Sequence, residues 1–455
     1  MQINFDLQSL RKNTKMTPAA RTEAAIYLLG KIADERRPAD DIVRAWFLAR
    51  RFVGAKDRRA IRERVYGCLR RLSRLDWHLT QAAFGQDKTA RLRVLVDVVL
   101  EGLDTDEYFN SLPHGPGPLD DGEVEIAEFL KGKKIDDPDQ PGHVQVELPE
   151  WLSDKLKPVY AETFMAEMMA INTPAPMDLR VAIGRVSRDQ AQKSLAKSNV
   201  KTYPTDMSPV GLTLQAHSDI ARTPAFKKGF VEVQDEGSQI LALLVGARAN
   251  MTVVDYCAGA GGKTLAIADR MGLQDGHSKG RLIASDISAD RLARMDKRLH
   301  RAKLTNKVEC HVLDPKAPWY AGQEQSFDRV LVDAPCSGSG TWRRHPEQKK
   351  RLTEERLAEL MAMQDEVLNG SADLVKPEGR LIYATCSLLR EENEHRVESF
   401  LKTHKDFKVV PIQTVWAETL KNTPCPDMNE APYLRLSPHS HDTDGFFVAV
   451  LERKA

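Results

Sequence analysis

Cysteine is scarce in this 455-residue chain. The six present, at positions 68, 257, 310, 336, 386 and 425, form no CxxC pair and no Cys/His ligand spacing. That argues against a disulfide framework and a structural zinc, and no metal is expected. Apolar runs long enough to span a bilayer are missing, so no membrane association is expected. No signal peptide or low-complexity tail is evident, which leads to a cytoplasmic expectation, and a reducing compartment would keep thiols free. Neither sign of charge dominates: 66 Lys and Arg oppose 65 Asp and Glu, a net of +1. As a whole-chain figure, that points to no polyanionic partner.

What is present is unevenly distributed. A chain of this length accommodates two to three domains, each able to bury its own core. Pro113, Pro116 and Pro118, then Asp136-Asp137-Pro138-Asp139-Gln140-Pro141-Gly142, mark a linker near 110–145. Before it the sequence reads as helix, with Thr17 as N-cap, Pro18 in the first turn, and Ala25, Ile26, Leu29 and Ile32 at helical spacing. A second helical run sets Ile61, Val65, Leu69 and Leu72 on one face and Arg58, Arg59, Arg62, Arg64, Arg70 and Arg71 on the others. Residues 1–80 hold 18 basic and 9 acidic side chains, whereas residues 81–150 hold 6 and 16. The segment Arg44 to Arg74 has eleven basic residues opposed only by Asp57 and Glu63. Such a stripe suits phosphate contacts, which give affinity and orientation, although a solvated face with compensating acids would have the same composition. Past the linker, Asp178–Val181, a short helix near 189–197, Gly211–Leu214 and Phe230–Val233 form a small mixed α/β segment.

The chemistry concentrates after residue 250. Val253-Val254-Asp255-Tyr256 reads as a strand, Cys257-Ala258-Gly259-Ala260-Gly261-Gly262 as a tight turn, and Lys263 to Ala268 as the following helix, the βα arrangement that cradles a nucleotide. Cys257 stands where a P-loop needs glycine, and Thr264 where a dinucleotide fingerprint needs a small residue, so neither of those families fits. Later strands end in Asp286, Asp314 and Asp333. Acidic strand ends in this register favour a cofactor with a ribose, amine donors and a positive charge. Cysteines stand at two strand ends, Cys336 just past Asp333 in Asp333-Ala334-Pro335-Cys336-Ser337-Gly338 and Cys386 after a further strand in Ala384-Thr385-Cys386-Ser387. One helix fits in the 50 residues between them, which puts both thiols on the same edge of a parallel sheet, facing a pocket.

These residues resemble the catalytic domain of the RNA cytosine-5 methyltransferases, the class I, S-adenosylmethionine-dependent family, and in particular its bacterial small-subunit ribosomal RNA branch. The likeness extends to Gln234-Asp235-Glu236-Gly237-Ser238-Gln239, Arg343-Arg344-His345-Pro346 and Glu391-Glu392-Asn393-Glu394. It implies an α/β, Rossmann-like methyltransferase domain over 236–455, an RRM-like α+β lead-in over 145–235 and an all-α, NusB-like RNA-binding domain over 1–140. Three positions depart from the family pattern: Ala260 and Arg390 stand where proline is usual, and Ala182 where asparagine is common.

The resemblance also implies roles. Cys386 attacks cytosine C6, Asp333 meets the electron density at N3, Cys336 serves release, and Lys263 orients the acidic cluster or the base. S-adenosylmethionine would be held by Cys257, Ala258, Gly259, Ala260, Gly261, Gly262, Lys263, Asp286, Asp314 and Asp333. Having both cysteines points to RNA rather than DNA, with 16S ribosomal RNA the implied partner and a monomer the implied state. Transfer RNA methylation, or a non-catalytic ribosome-assembly or antitermination factor, are the alternatives.

Overall fold

Helical periodicity fills the first part of the chain, and strand–helix alternation fills the rest. The computed structural model describes residues 16–82, 87–216, 218–275, 278–314, 316–428 and 431–455. The chain divides into two compact units, Met1–Asp154 with His345–Arg351, and Lys155–Arg344 with Leu352–Ala455. Residues 1–15, which contribute to the basic stretch, lie outside the described residues. Among the described residues no helix is long and apolar enough to cross a membrane, and no cluster of His, Cys, Asp and Glu could hold a metal ion.

Among its described residues the first unit has helices and no strand. Thr17 caps Pro18–Asp34 by accepting the Ala20 N–H at 3.1 Å, with Pro18 in the first turn where its missing N–H costs nothing. Ile61, Val65 and Leu69 of Ala55–Arg70 are buried with Leu28, Leu75 and Leu95. The stretch expected to be a linker is instead part of this unit. Asp120 and Glu123 form a capping box on Asp121–Leu130, and Ile126 and Leu130 of that helix enter the core. Its prolines punctuate turns between helices.

The basic stripe divides in two. Arg64 and Arg71 pair with Asp97 and Glu101, and Arg74 pairs with Glu147 and Asp136, so acids from 81–150 hold these cations in place. Arg44, Arg51, Lys56, Arg59 and Arg62 remain exposed, beside an 81% exposed Phe52.

In the second unit, after the helix Phe164–Ile171, comes a four-stranded antiparallel sheet, β1 (Asp178–Val181), β2 (Thr202–Pro204), β3 (Gly211–Leu214) and β4 (Val231–Val233), in the order β2-β3-β1-β4. Helices Arg188–Ala196 and Pro224–Lys227 complete a βαββαβ chain order. Charge fastens this sheet to the larger body. Glu232 pairs with Arg298 and Arg301, and Asp269 accepts the N–H groups of Ile183 and Gly184 at 3.0 and 3.2 Å.

The larger sheet comprises β5 (Thr252–Asp255), β6 (Arg281–Asp286), β7 (Glu309–Val312), β8 (Phe327–Asp333), β9 (Val375–Thr385), β10 (Phe407–Val410), β11 (Leu434–Leu436) and β12 (Phe446–Arg453). The order is β10-β12-β9-β8-β5-β6-β7, with β11 also on β12. Pairs among β5 to β9 are parallel, and those of β12 are antiparallel. Ile240, Leu265, Met295 and Val415 pack on one face, and Leu368, Ala372, Val397 and Phe400 on the other. From β5 the chain first winds outward through β6 and β7, then returns to the opposite side as β8. That reversal opens a crevice at the carboxyl ends of β5 and β8, the place where α/β sheets bind ligands.

Candidate active site

The turn after β5 is built by backbone freedom and a neighbouring methionine. Gly259 and Gly261 adopt φ of 55° and 81°, which glycine reaches without strain. A Cβ on Gly261 would lie 2.5 Å from the Met295 side chain, so this position has no room for one. Gly261 is the N-cap of Gly262–Arg270 and supplies no side-chain cap, leaving early N–H groups of that helix for a ligand. Asp286 closes the turn from the next strand, accepting the Gly259 N–H at 2.9 Å and the Ser288 N–H at 2.8 Å. Ala260 replaces a proline, and Arg298 Nη1 steadies the turn by donating to the Ala260 carbonyl at 2.9 Å. At Arg390, the other replaced proline, the carbonyl accepts the N–H groups of Asn393 and His395.

Below the turn, Asp255 is fully buried and accepts the Thr264 hydroxyl at 2.6 Å. Burial pushes its carboxyl up to about 7 against the pull of that hydrogen bond. Cys257 is likewise pushed up, by burial and then by Asp333, Asp255 and Asp286, which keeps it a neutral thiol. Lys263 Nζ donates to Asp333 Oδ2 at 2.7 Å. Burial is the largest influence and works against the ammonium, but the charge and hydrogen bond of Asp333, together with Cys386 and Asp255, hold the Lys263 value above its ordinary one. The same ammonium interacts with the Cys386 sulfur.

Cys336 and Cys386 meet with their sulfurs 3.4 Å apart, each half-buried. The Cys336 thiol is raised, first by its hydrogen bond to Cys386, then by burial and by the Cys386 and Glu392 charges. The turn carrying Cys336 runs hard against the C-terminal strand's approach: a Cβ on Gly340 would sit 2.2 Å from the Gly445 carbonyl oxygen. Arg343 and Arg344 fix the far end of that turn on Asp444, each at 2.5 Å, and Arg344 also reaches Asp235 at 3.0 Å. Arg343, Arg344 and Asp235 of the motif runs therefore brace the loop.

Of the residues expected to bind or react, the structure joins Gly259 to Asp286, Lys263 to Asp333, and Cys336 to Cys386. Asp314 is exposed and accepts the Lys316 N–H at 2.9 Å; the preceding Leu313 donates its N–H to the Asp286 carbonyl at 2.9 Å. Motif reading gave no role to Trp319, whose Nε1 donates to Ser285 Oγ at 2.9 Å and whose ring stacks on His311. It also gave none to Glu392, although that residue lies in a quoted run. A glycine cradle with uncapped helix N–H groups and the carboxylates of Asp286 and Asp333 beside it fit the ribose, amine and positive charge of S-adenosylmethionine.

Residues 242–452 match the family described as 16S rRNA methyltransferase RsmB/F, and residues 148–221 match the RsmF/B-like, ferredoxin-like domain. Ribosomal RNA small subunit methyltransferase B of Vibrio cholerae is 30% identical over 434 residues, covering 89% of this chain and 92% of that protein. The protein of the same name from Erwinia tasmaniensis is 29% identical over 450 residues, covering 94% and 98%. The crystal structure of PH0851 is similar with a TM-score of 0.77 at 26% identity, covering 97% of this chain and 100% of that one. NSun6 from Pyrococcus horikoshii, solved with SFG, shares the fold at a TM-score of 0.58 and 20% identity, covering 68% of this chain and 98% of its own.

Proposed function

We propose that this chain, which belongs to the RsmB/F family of S-adenosylmethionine-dependent 16S rRNA methyltransferases, forms 5-methylcytosine in 16S ribosomal RNA through a covalent bond from Cys386 to the target base. The observation that carries this reading is the pair of cysteine sulfurs 3.4 Å apart, next to the Lys263–Asp333 ion pair at the switch point of the sheet. Cytosine C5 is a weak nucleophile until a thiolate adds at C6. The Cys386 thiolate forms the C6–S bond, and the displaced π pair moves toward C5 and N3. The proton of the Lys263–Asp333 pair moves onto Asp333, which donates it in a hydrogen bond to N3 and so meets the incoming density.

Bound S-adenosylmethionine supplies the electrophilic methyl group; Gly259, Gly261, Lys263, Asp286 and Asp333 would hold it, with Asp314 at the edge. After transfer, C5 carries both methyl and proton. Cys336, having given its own proton to solvent, takes the C5 proton, for which its raised proton affinity suits it. The pair returns to C5=C6, the C6–S bond breaks, and Cys386 leaves as thiolate. The target is read unstacked, because neither sulfur reaches C6 inside a stacked helix. DNA is outside this reading, as DNA enzymes attack with the Pro-Cys thiol alone. A monomer in the cytoplasm completes it, where both thiols stay reduced.

The test is trapping. Cys386→Ala is expected to lose methyl transfer and form no adduct, whereas Cys336→Ala methylates once and stays attached to its RNA through denaturing electrophoresis. Replacing Cys386 as well abolishes the adduct. An adduct that accumulates in Cys386→Ala would instead assign the attack to Cys336.

A further inference from the structure

Glu392 is fully buried, in the turn between β9 and the helix Glu394–Thr403. Its Oε1 accepts the Ser337 N–H at 2.8 Å and Gln364 Nε2 at 2.9 Å. Its Oε2 accepts the hydroxyls of Ser337 and Ser387, both at 2.5 Å. Ser337 and Ser387 are the residues that directly follow the two cysteines. The Tyr383 hydroxyl, rising from β9, donates to the Glu392 carbonyl at 2.6 Å and fixes the backbone behind the carboxylate.

The donors that hold this carboxylate, two hydroxyls, an amide and a backbone N–H, are all neutral. A buried anion held that way is costly to desolvate, so a purely structural role would be served at lower cost by an amide or an apolar residue. The geometry points to Glu392 as the positioning residue that clamps the two cysteine-bearing turns together and sets which of the thiols attacks. This rests on the covalent reading above.

Two opposite charges thus bracket the sulfur pair. The Lys263 ammonium acts on Cys386, whereas at Cys336 the hydrogen bond to Cys386, burial and the Cys386 charge disfavour a thiolate first and the Glu392 carboxylate adds to them. Two sulfurs 3.4 Å apart cannot both carry charge readily, so a bias against one is a bias toward the other. Gln364 also donates to the Pro335 carbonyl at 3.0 Å, extending the same clamp to the residue before Cys336.

Glu392→Gln tests this with little disturbance of shape. The amide oxygen can still accept from Ser337 N–H and Gln364, and the amide NH2 can donate to the serine hydroxyls, which accept as well as donate. We expect alkylation of Cys336 by iodoacetamide at neutral pH, followed by peptide mass spectrometry, to rise about tenfold. Single-turnover methylation should fall by about tenfold or more, with the RNA KM and the calorimetric S-adenosylmethionine affinity within about twofold of wild type. Glu392→Asp, which restores the charge, should return Cys336 labelling toward wild type.

A second variant removes the hydroxyl donors and keeps the carboxylate. Ser337→Ala with Ser387→Ala should lower kcat about tenfold at unchanged cofactor affinity. Unaltered Cys336 labelling and wild-type rates in both sets would overturn the assignment, as would a loss of cofactor affinity equal to the loss of rate. If Cys336→Ala still yields the RNA adduct while those results fail, only the Glu392 role falls. If that adduct never forms, the covalent reading falls with it.

Discussion

Replacing Asp255 by asparagine should change how the stability of the methyltransferase unit depends on pH. Asp255 is 0% exposed, has one oxygen on the Thr264 hydroxyl and has no hydrogen-bond partner for Oδ1 among the described residues. Its carboxyl is raised from an ordinary 3.8 to about 7, with burial the main cause. The folded state therefore holds this proton more tightly than the unfolded one. Its contribution to stability is greatest below the ordinary value, is lost as pH climbs from about 4 to about 7, and stays lost above that.

At about 1.4 kcal/mol per pH unit, the whole window spans roughly 4 kcal/mol, and the portion between pH 5 and pH 8 is about 2–3 kcal/mol. Asparagine can still accept the Thr264 hydroxyl and does not titrate. Its buried amide carries a cost of its own, but that cost is constant with pH, so the slope is the readout. Thermal melts at pH 5 and pH 8, following the transition that S-adenosylmethionine shifts upward, identify the relevant unit in a chain with two. The variant should gain about 5–10 °C relative to wild type between those pH values. A difference that stays flat with pH would refute the claim that burial, only partly relieved by Thr264 and Lys263, governs Asp255.

Two further outcomes are expected. Asp286→Ala removes the acceptor for the Gly259 and Ser288 N–H groups and, on the proposed reading, a partner of the cofactor ribose, so calorimetric S-adenosylmethionine affinity should fall by about 10- to 100-fold while a chelator changes nothing. Equal affinity in that variant would remove Asp286 from the cofactor site. Exchanging the exposed Arg51, Lys56 and Arg62 together for glutamine should raise the RNA KM about tenfold near 0.1 M salt and make the log–log salt slope shallower by roughly 2–3, leaving cofactor affinity as it was. An unmoved slope would make that surface a solvated face.

The sequence by itself determined whatever depends on neighbours in the chain. The glycine turn 257–262, the strands ending at Asp286 and Asp333, the cap at Thr17 and the helix following Gly261 each rest on local rules of periodicity, φ freedom and capping, and each stands in the structure where those rules put it. The two cysteines were legible as strand ends because apolar runs of strand length stop just before them. Proline signals misled between 110 and 145, because a proline marks a turn equally well between helices of one core and between domains, and only the burial of Ile126 and Leu130 distinguishes the two.

Tertiary structure alone decided which charges are spent and which are offered. Arg64, Arg71 and Arg74 read the same as Arg51 and Arg62 in sequence, yet acids some thirty to seventy residues away hold the first three in place. It also decided that Cys336 and Cys386 touch, that Asp255 carries an unpartnered oxygen, and that Glu392 joins turns separated by 55 residues of chain. Hydrogen bonds and desolvation act over a few ångströms whatever the sequence separation, so the Cys336–Cys386 contact and the Glu392 clamp exist only once β8 and β9 lie side by side.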